Sequence, residues 1–209
     1  MIVTKINNFY AIFLDIILYM EIVFATANPH KLEEVNNIAK NTDIKFILPN
    51  AGFNPIENGS TFEENSLIKA KEAYRVSGRM TLADDSGLCV DVLNGAPGLY
   101  SARYAGSQSE KIEKLLNELK DKENRNAKFV CCMTLLNDKG EMIYQTTGEC
   151  YGSIIDKAKG INGFGYDPIF EVNGYGITMA EMSEEEKNAI SHRANALKNI
   201  IQYLKHFSS

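Results

Sequence analysis

The stretch "KFVCCMTLLNDKGEMIYQTTGECYGSII", residues 128–155, decides the class of fold. Two β-prone apolar runs flank Asn137-Asp138-Lys139-Gly140, a turn composition, so the segment reads as a β-hairpin. A hairpin pairs its strands antiparallel, whereas a purely parallel doubly wound sheet returns each strand through a helix. Upstream the pattern alternates instead. "EIVFAT" (21–26) is a short strand-like run, followed by Asn28-Pro29 and by apolar positions at Leu32, Val35, Ile38 and Ala39. Asn at the N-cap with Pro at the first helical position is a helix start. The two halves together predict a mixed α/β fold whose sheet holds both parallel and antiparallel strands.

Three further helices follow from periodicity. "TFEENSLIKAKEAYRVSG" (61–78) opens with Thr61 and Glu64 at capping-box spacing and carries a stripe of Leu67, Ile68, Ala70, Ala73 and Val76. Glu64 is thereby assigned to the cap. Residues 110–120 are amphipathic through Ile112, Leu115, Leu116 and Leu119. "SEEEKNAISHRANALKNIIQYL" (183–204) has a second capping box at Ser183 and Glu186 and a restart at Ser191.

Composition bounds the function. The chain has 209 residues, 44% hydrophobic and 23% charged, with a net charge of −5, which suits a water-soluble protein with one substantial core or two lobes sharing a sheet. That charge argues against a nucleic-acid polymer as partner, since such binding needs a phosphate-neutralising basic stripe. A small anion needs only a few cations in one cleft. The four cysteines, Cys89, Cys131, Cys132 and Cys150, show no CxxC spacing and read as buried, reduced thiols of a cytoplasmic protein. Residues 1–19 hold an apolar run broken by Asp15, too short and interrupted to span a bilayer. They read as an extension outside the fold with no part in chemistry, a weak membrane-associating segment being the alternative. Residues 20–209 read as a single domain.

Candidate chemistry lies in five places. The turn Thr26–Lys31 offers free backbone N–H groups at a helix N-terminus and a mobile lysine, which favours phosphate, although most such turns bind nothing. In "LADDSGLCVDVLNGAPGLYSARYAG" (82–106), Asp84 and Asp85 are adjacent carboxylates, costly to bury without a positive partner. Either a metal ion or salt bridges supply it. Gly87 and Asn94-Gly95 allow tight turns, so the pair is expected at a strand end opening onto a cleft. Glu57, in the loop "NPIENGS", has no helix to cap and is free for a polar task or simply solvated. "KGINGFGYDPIF" (159–170) threads Phe164 and Tyr166 through glycines beside Asp167, a surface for a flat ligand or aromatics packed in a core. A break at Ser191 brings Lys187, His192 and Arg193 toward one cleft.

"TANPHK", "IENGSTFEENSLIKA", "ADDSGLCVDVLNGAPGLYSARYAG", "GFGYDPIF" and "EEKNAISHR" occur in the order of the inosine/xanthosine triphosphate pyrophosphatase family, which the chain resembles from about Met20 to its C-terminus. The resemblance implies an elongated mixed β-sheet flanked by helices, two lobes with a substrate cleft between them, and a homodimer. It implies hydrolysis of ITP, dITP and XTP to the monophosphate and pyrophosphate with Mg²⁺. By motif, the phosphate-contacting turn falls on Thr26, Ala27, Asn28, Pro29, His30 and Lys31. The metal carboxylates fall on Glu57 and Asp85, and Asp85 is also the proton acceptor. Ser86, Phe164, Gly165, Tyr166, Asp167, Lys187, His192 and Arg193 fall on substrate-contacting positions. Ala27 stands where the family commonly has glycine, so a positive φ there would strain the turn. Asn162 departs from the usual loop.

Beside that likeness, the residues suggest a division of labour. Glu57 and Asp85 would hold the ion, Asp85, or Asp84 beside it, would orient or deprotonate the water, and Lys31 and Lys187 would neutralise phosphate oxygens. A 6-keto purine accepts where adenine donates, so donors from His192 or Arg193 would disfavour ATP while Phe164 stacks on the base. A nucleotide-binding sensor without catalysis would keep the cations and aromatics but has no need of Glu57 and the aspartate pair.

Overall fold

The computed structural model describes residues 19–207. The predicted N-terminal extension lies outside the described residues, apart from Tyr19. Six strands, β1 (Met20–Phe24), β2 (Ile44–Ile47), β3 (Thr81–Val90), β4 (Asn126–Leu136), β5 (Met142–Ile154) and β6 (Phe170–Val172), form one sheet in the order β2-β1-β3-β4-β5-β6. β1 pairs parallel with β2 and β3, and every later pairing is antiparallel. The hairpin expected from residues 128–155 is the β4–β5 pair, with its turn closed by Gly140 N donating to Asn137 O at 3.0 Å.

Five helices cover the sheet: α1 (Pro29–Ile38), α2 (Phe62–Ser77), α3 (Gln108–Glu118), α4 (Glu184–Ile190) and α5 (His192–Phe207). Their starts follow the capping chemistry. Asn28 Oδ1 accepts from His30 N before α1, and Thr61 Oγ1 from Glu64 N before α2. The Ser183–Glu186 box is complete before α4. Glu64 turns back to Ser60, accepting from both its N and its Oγ, which confirms a structural task. Helix α4 ends at Ser191, whose ψ of 155° is extended, and α5 begins at the next residue.

Strands β3, β4 and β5 are long enough to serve two cores. Toward one end, Ile22, Phe24, Leu82, Met133 and Leu135 pack with Leu197 and Ile200 of α5, while Val23, Ala25 and Ala83 pack on the other face with Ala70 and Ala73 of α2. Toward the other end, Leu88, Val90, Ala127 and Phe129 pack with Leu115 and Leu119 of α3 and with Ile169 and Phe170. These are the two lobes, with the cleft where the cores part. Among the described residues no helix is long and apolar enough to cross a membrane. All four cysteines are free; Cys131, Cys132 and Cys150 are buried, whereas Cys89 is only half-buried.

Candidate active site

The aspartate pair does not stand at a strand end. Asp84 and Asp85 lie in the middle of β3, in register with Met133 and Cys132 of β4. Gly87, expected in a turn, is also inside β3. Its lack of a side chain serves a close approach, because a Cβ there would stand 2.3 Å from the carbonyl oxygen of Gly98. What opens the cleft is the end of the neighbouring strand. β1 pairs with β3 only as far as Phe24↔Leu82, so Asp84, Asp85 and Ser86 continue past it with no β1 partner. That stretch of β3 is a free edge on the β1 side.

Successive strand residues face opposite sides, and the two carboxylates separate accordingly. Asp84 faces α1 and α5. Lys31 Nζ donates to both of its oxygens at 3.0 Å, and Arg193 Nη2 to Oδ2 at 3.0 Å. Burial alone would raise Asp84, but Lys31 and Arg193 outweigh it and hold its carboxyl far below the ordinary range. Lys31 is therefore an anchored cation, not the mobile one expected; burial draws its pKa down against the pull of Asp84.

Asp85 faces α2. Lys69 Nζ lies 2.6 Å from its Oδ1 and 3.5 Å from Glu57 Oε2. Burial pushes the Asp85 carboxyl up, with Lys69 opposing. The Lys69 ammonium is lowered by burial, but Asp84, Asp85 and Glu57 raise it further, so it stays charged. Lys69 was missed in the sequence, although a signal exists: it follows Asn65 and precedes Ala73 by four, and all three are buried on the sheet-facing side of α2.

Glu57 and Asp85 thus converge on one positive charge. Among the described residues no three His, Cys, Asp or Glu side chains gather into a metal cluster. Two carboxylates, one of them with its side chain 32% exposed, nevertheless fit Mg²⁺, which takes one or two carboxylates and keeps several waters.

On the α5 side a cavity of about 410 Å³ is lined by Asn28, His30, Lys31, Ser86, Phe164, Gly165, Tyr166, Asp167, Lys187, His192 and Arg193, together with Leu88, Phe129, Gln108 and Lys111 among others. Most of the expected substrate positions therefore meet in one place. Thr26 does not line it; its Oγ1 accepts from Asn28 N at 3.0 Å and shapes the turn. Ala27 is absent from the positive-φ positions, so its methyl causes no strain. Glu57, Asp85 and Lys69 stand outside this cavity, across the free edge of β3.

The aromatic segment is built around Asp167. This buried carboxylate accepts from Phe164 N at 2.9 Å and Lys187 Nζ at 2.8 Å, and a Cβ on Gly163 would fall 2.1 Å from its Oδ2. Burial raises Asp167 despite Lys187. The Phe164 ring carries Lys187 Nζ at 4.9 Å and Arg193 Cζ at 5.8 Å from its centroid, with His30 stacked at 6.0 Å. Lys187 belongs to this aromatic end. Glu34, also missed, accepts from Lys187 at 2.7 Å and from Arg193, and those two cations overcome its burial and lower its pKa. Its signal was a carboxylate beside Val35 on the buried side of α1. His192, fully enclosed, stacks on Phe129 at 4.8 Å; burial and then Arg193 and Lys187 hold its pKa well below normal, and its Nδ1 has no partner.

The fold and cleft define a two-lobed α/β protein with a cation-rich cavity joined across a strand edge to a carboxylate pair. The model of the Ham1 family matches residues 22–203, and the chain belongs to that family. It is 47% identical over 184 residues to the dITP/XTP pyrophosphatase of Prochlorococcus marinus strain NATL1A, covering 88% of this chain and 93% of the relative. The dITP/XTP pyrophosphatase of Bacillus subtilis strain 168 is 44% identical over 198 residues, covering 90% of this chain and 99% of that one. Among solved structures, a HAM1 protein from Coxiella burnetii superposes with a TM-score of 0.81 at 42% identity, covering 89% of this chain and 98% of its own.

Proposed function

We propose that this chain hydrolyses ITP, dITP and XTP to the monophosphate and pyrophosphate, clearing non-standard purines from the nucleotide pool. The observation that carries this reading is the split of Asp84 and Asp85 to opposite faces at the free edge of β3, which sets a donor-rich aromatic cavity beside a separate pair of acidic groups.

The purine lies against Phe164, with Arg193, His192 and Lys187 offering donors to its 6-keto edge. A 6-amino group would leave such buried donors unpaired, the basis of rejecting ATP. The triphosphate crosses at the turn Thr26–Lys31, where backbone N–H groups, the N-terminus of α1 and Lys31 meet its negative charge. Water attacks the α phosphorus, the bond to the bridging oxygen of the β phosphate breaks, and pyrophosphate leaves with that electron pair. The water's proton goes to Asp85. Lys69 occupies Oδ1, leaving the other oxygen without a hydrogen bond among the described residues, and the raised pKa makes this carboxylate the stronger base of the two neighbours. Glu57 and Asp85 would hold Mg²⁺, which when bound neutralises phosphate charge and orders water.

We place the reaction in the cytoplasm, in keeping with the free thiols, and assign the enzyme a homodimeric state on the family resemblance. Residues 20–209 form the catalytic unit, and deleting residues 1–19 is expected to leave turnover intact. The deciding experiment is pyrophosphate release from ITP, dITP, XTP, GTP, ATP and dUTP with and without Mg²⁺. Release confined to the non-standard purines and to the metal-containing reactions is expected. Equal release from ATP, or none from any purine, would sink the reading.

A further inference from the structure

Four basic side chains besides histidine line the cavity: Lys31, Lys111, Lys187 and Arg193. Three are already committed, Lys31 to Asp84, Lys187 to Glu34 and Asp167, and Arg193 to Asp84 and Glu34. Lys111 differs. It is half-buried on α3, lines the cavity, and its ammonium makes no ion pair or hydrogen bond among the described residues. A positive charge with no ion-pair partner among the described residues, on the wall of a cavity, favours an anion or a strong acceptor opposite it.

The wall's attachment tells which part of a nucleotide it meets. Gly165 N donates to Gln108 Oε1 at 3.2 Å, tying α3 to the loop that carries Phe164. Gln108 lies one helical turn before Lys111, on the same side, and also lines the cavity. The Gln108 oxygen keeps one further lone pair, and its N–H₂, which makes no hydrogen bond among the described residues, is free to donate. Helix α3 thus presents two donors, the Lys111 ammonium and the Gln108 N–H₂, beside the aromatic loop.

We infer that Lys111, with the Gln108 amide, reads the 2-position of the purine and ranks xanthine above hypoxanthine above guanine, an inference resting on the cavity being the purine site. The three bases share the 6-keto edge and differ at carbon 2. Xanthine has a keto acceptor there, and its imide loses a proton near neutral pH, so it arrives as an anion. Hypoxanthine has only C–H. Guanine carries an amino group, which would set N–H against N–H and leave donors unpaired.

The test is kcat/KM for XTP, ITP and GTP in the full chain and in Lys111→Met, Lys111→Arg and Lys111→Glu, with Kd for XMP and IMP by calorimetry. Removing a charged hydrogen bond in Lys111→Met is expected to lower XTP turnover roughly tenfold to a hundredfold and to weaken XMP similarly, leaving ITP within about threefold. Lys111→Arg keeps the XTP preference, and Lys111→Glu raises GTP relative to XTP. An equal fall for XTP and ITP in Lys111→Met would place the charge on the triphosphate and overturn the inference, as would unchanged ratios in every variant. A parent chain that releases pyrophosphate from none of the three overturns the purine reading along with it, an outcome distinct from both.

Discussion

Asp84 and Asp85 are one peptide apart, yet their surroundings push them in opposite directions. Asp84 is enclosed with two cations bound directly to it, and its carboxyl is held far down. Asp85 has one, Lys69, which it shares with Glu57, and burial pushes it up. A strand alternates its side chains between faces, so one backbone step converts a single acidic motif into two environments. One face gives a permanently ionised brace for cations that line the cavity. The other gives a carboxylate whose pKa is raised, the one to which we assign the water's proton.

Removing the base should show the largest effect. Asp85→Asn is expected to lower kcat by about 10²–10⁴-fold, the contribution of a positioned general base, in a chain that stays folded because Glu57 remains beside Lys69. Steady-state pyrophosphate release and a denaturation curve check both halves. Near-normal kcat would end the contrast between the two faces. Asp84→Asn should act the other way, through the fold. It leaves Lys31 and Arg193 enclosed without their shared counter-charge, and breaking a buried pair costs about 3–5 kcal/mol. Urea unfolding measures it, and a loss under about 1 kcal/mol, the range of an exposed pair, would show Asp84 to be solvated.

Much of this was legible in the sequence because it was written in local rules. Capping boxes, the Asn28-Pro29 start and the β4–β5 turn depend on neighbours within four residues, and each element appears where they place it. The break at Ser191 was readable for the same reason. The position of Asp84 and Asp85 was not, because Gly87 looks like a turn until the carbonyl of Gly98 is brought against it. Lys69 and Glu34 escaped for a related cause. Each is a charge on the buried side of a helix, and its partners lie 12 or more residues away in β3, the 54–60 loop, α4 or α5.

A third test concerns specificity on the Asp84 face. Arg193 bonds Asp84 and Glu34 and stands over Phe164, so Arg193→Ala removes both a donor and a structural contact. Total activity would fall for either reason. The ratio of kcat/KM for ITP over ATP does not depend on the fraction of folded enzyme, and it is expected to narrow by about tenfold to a hundredfold, the worth of a charged hydrogen bond. An unchanged ratio would leave Arg193 as a brace alone.

The smallest effect expected is a dependence of stability on pH through His192. Its ring is enclosed against Phe129, beside Arg193 and Lys187, and its pKa is depressed in the folded chain. In the unfolded chain it protonates as pH falls past about 6.5. Below that point the unfolded state binds the extra proton, so stability rises with pH and is lost on acidification, by up to ~1.4 kcal/mol per pH unit for one group. Asp85 and Asp167, both raised, contribute with the opposite sign. Comparing the parent with His192→Gln removes their share, since both chains keep them. Urea unfolding at about pH 7.5 and 5.5 should show the parent losing more stability than the variant over that interval, on either side of the ordinary histidine pKa. Parallel losses in the two chains would mean that His192 takes up its proton while folded, and the cavity would then offer a charged donor to the purine in place of a neutral one.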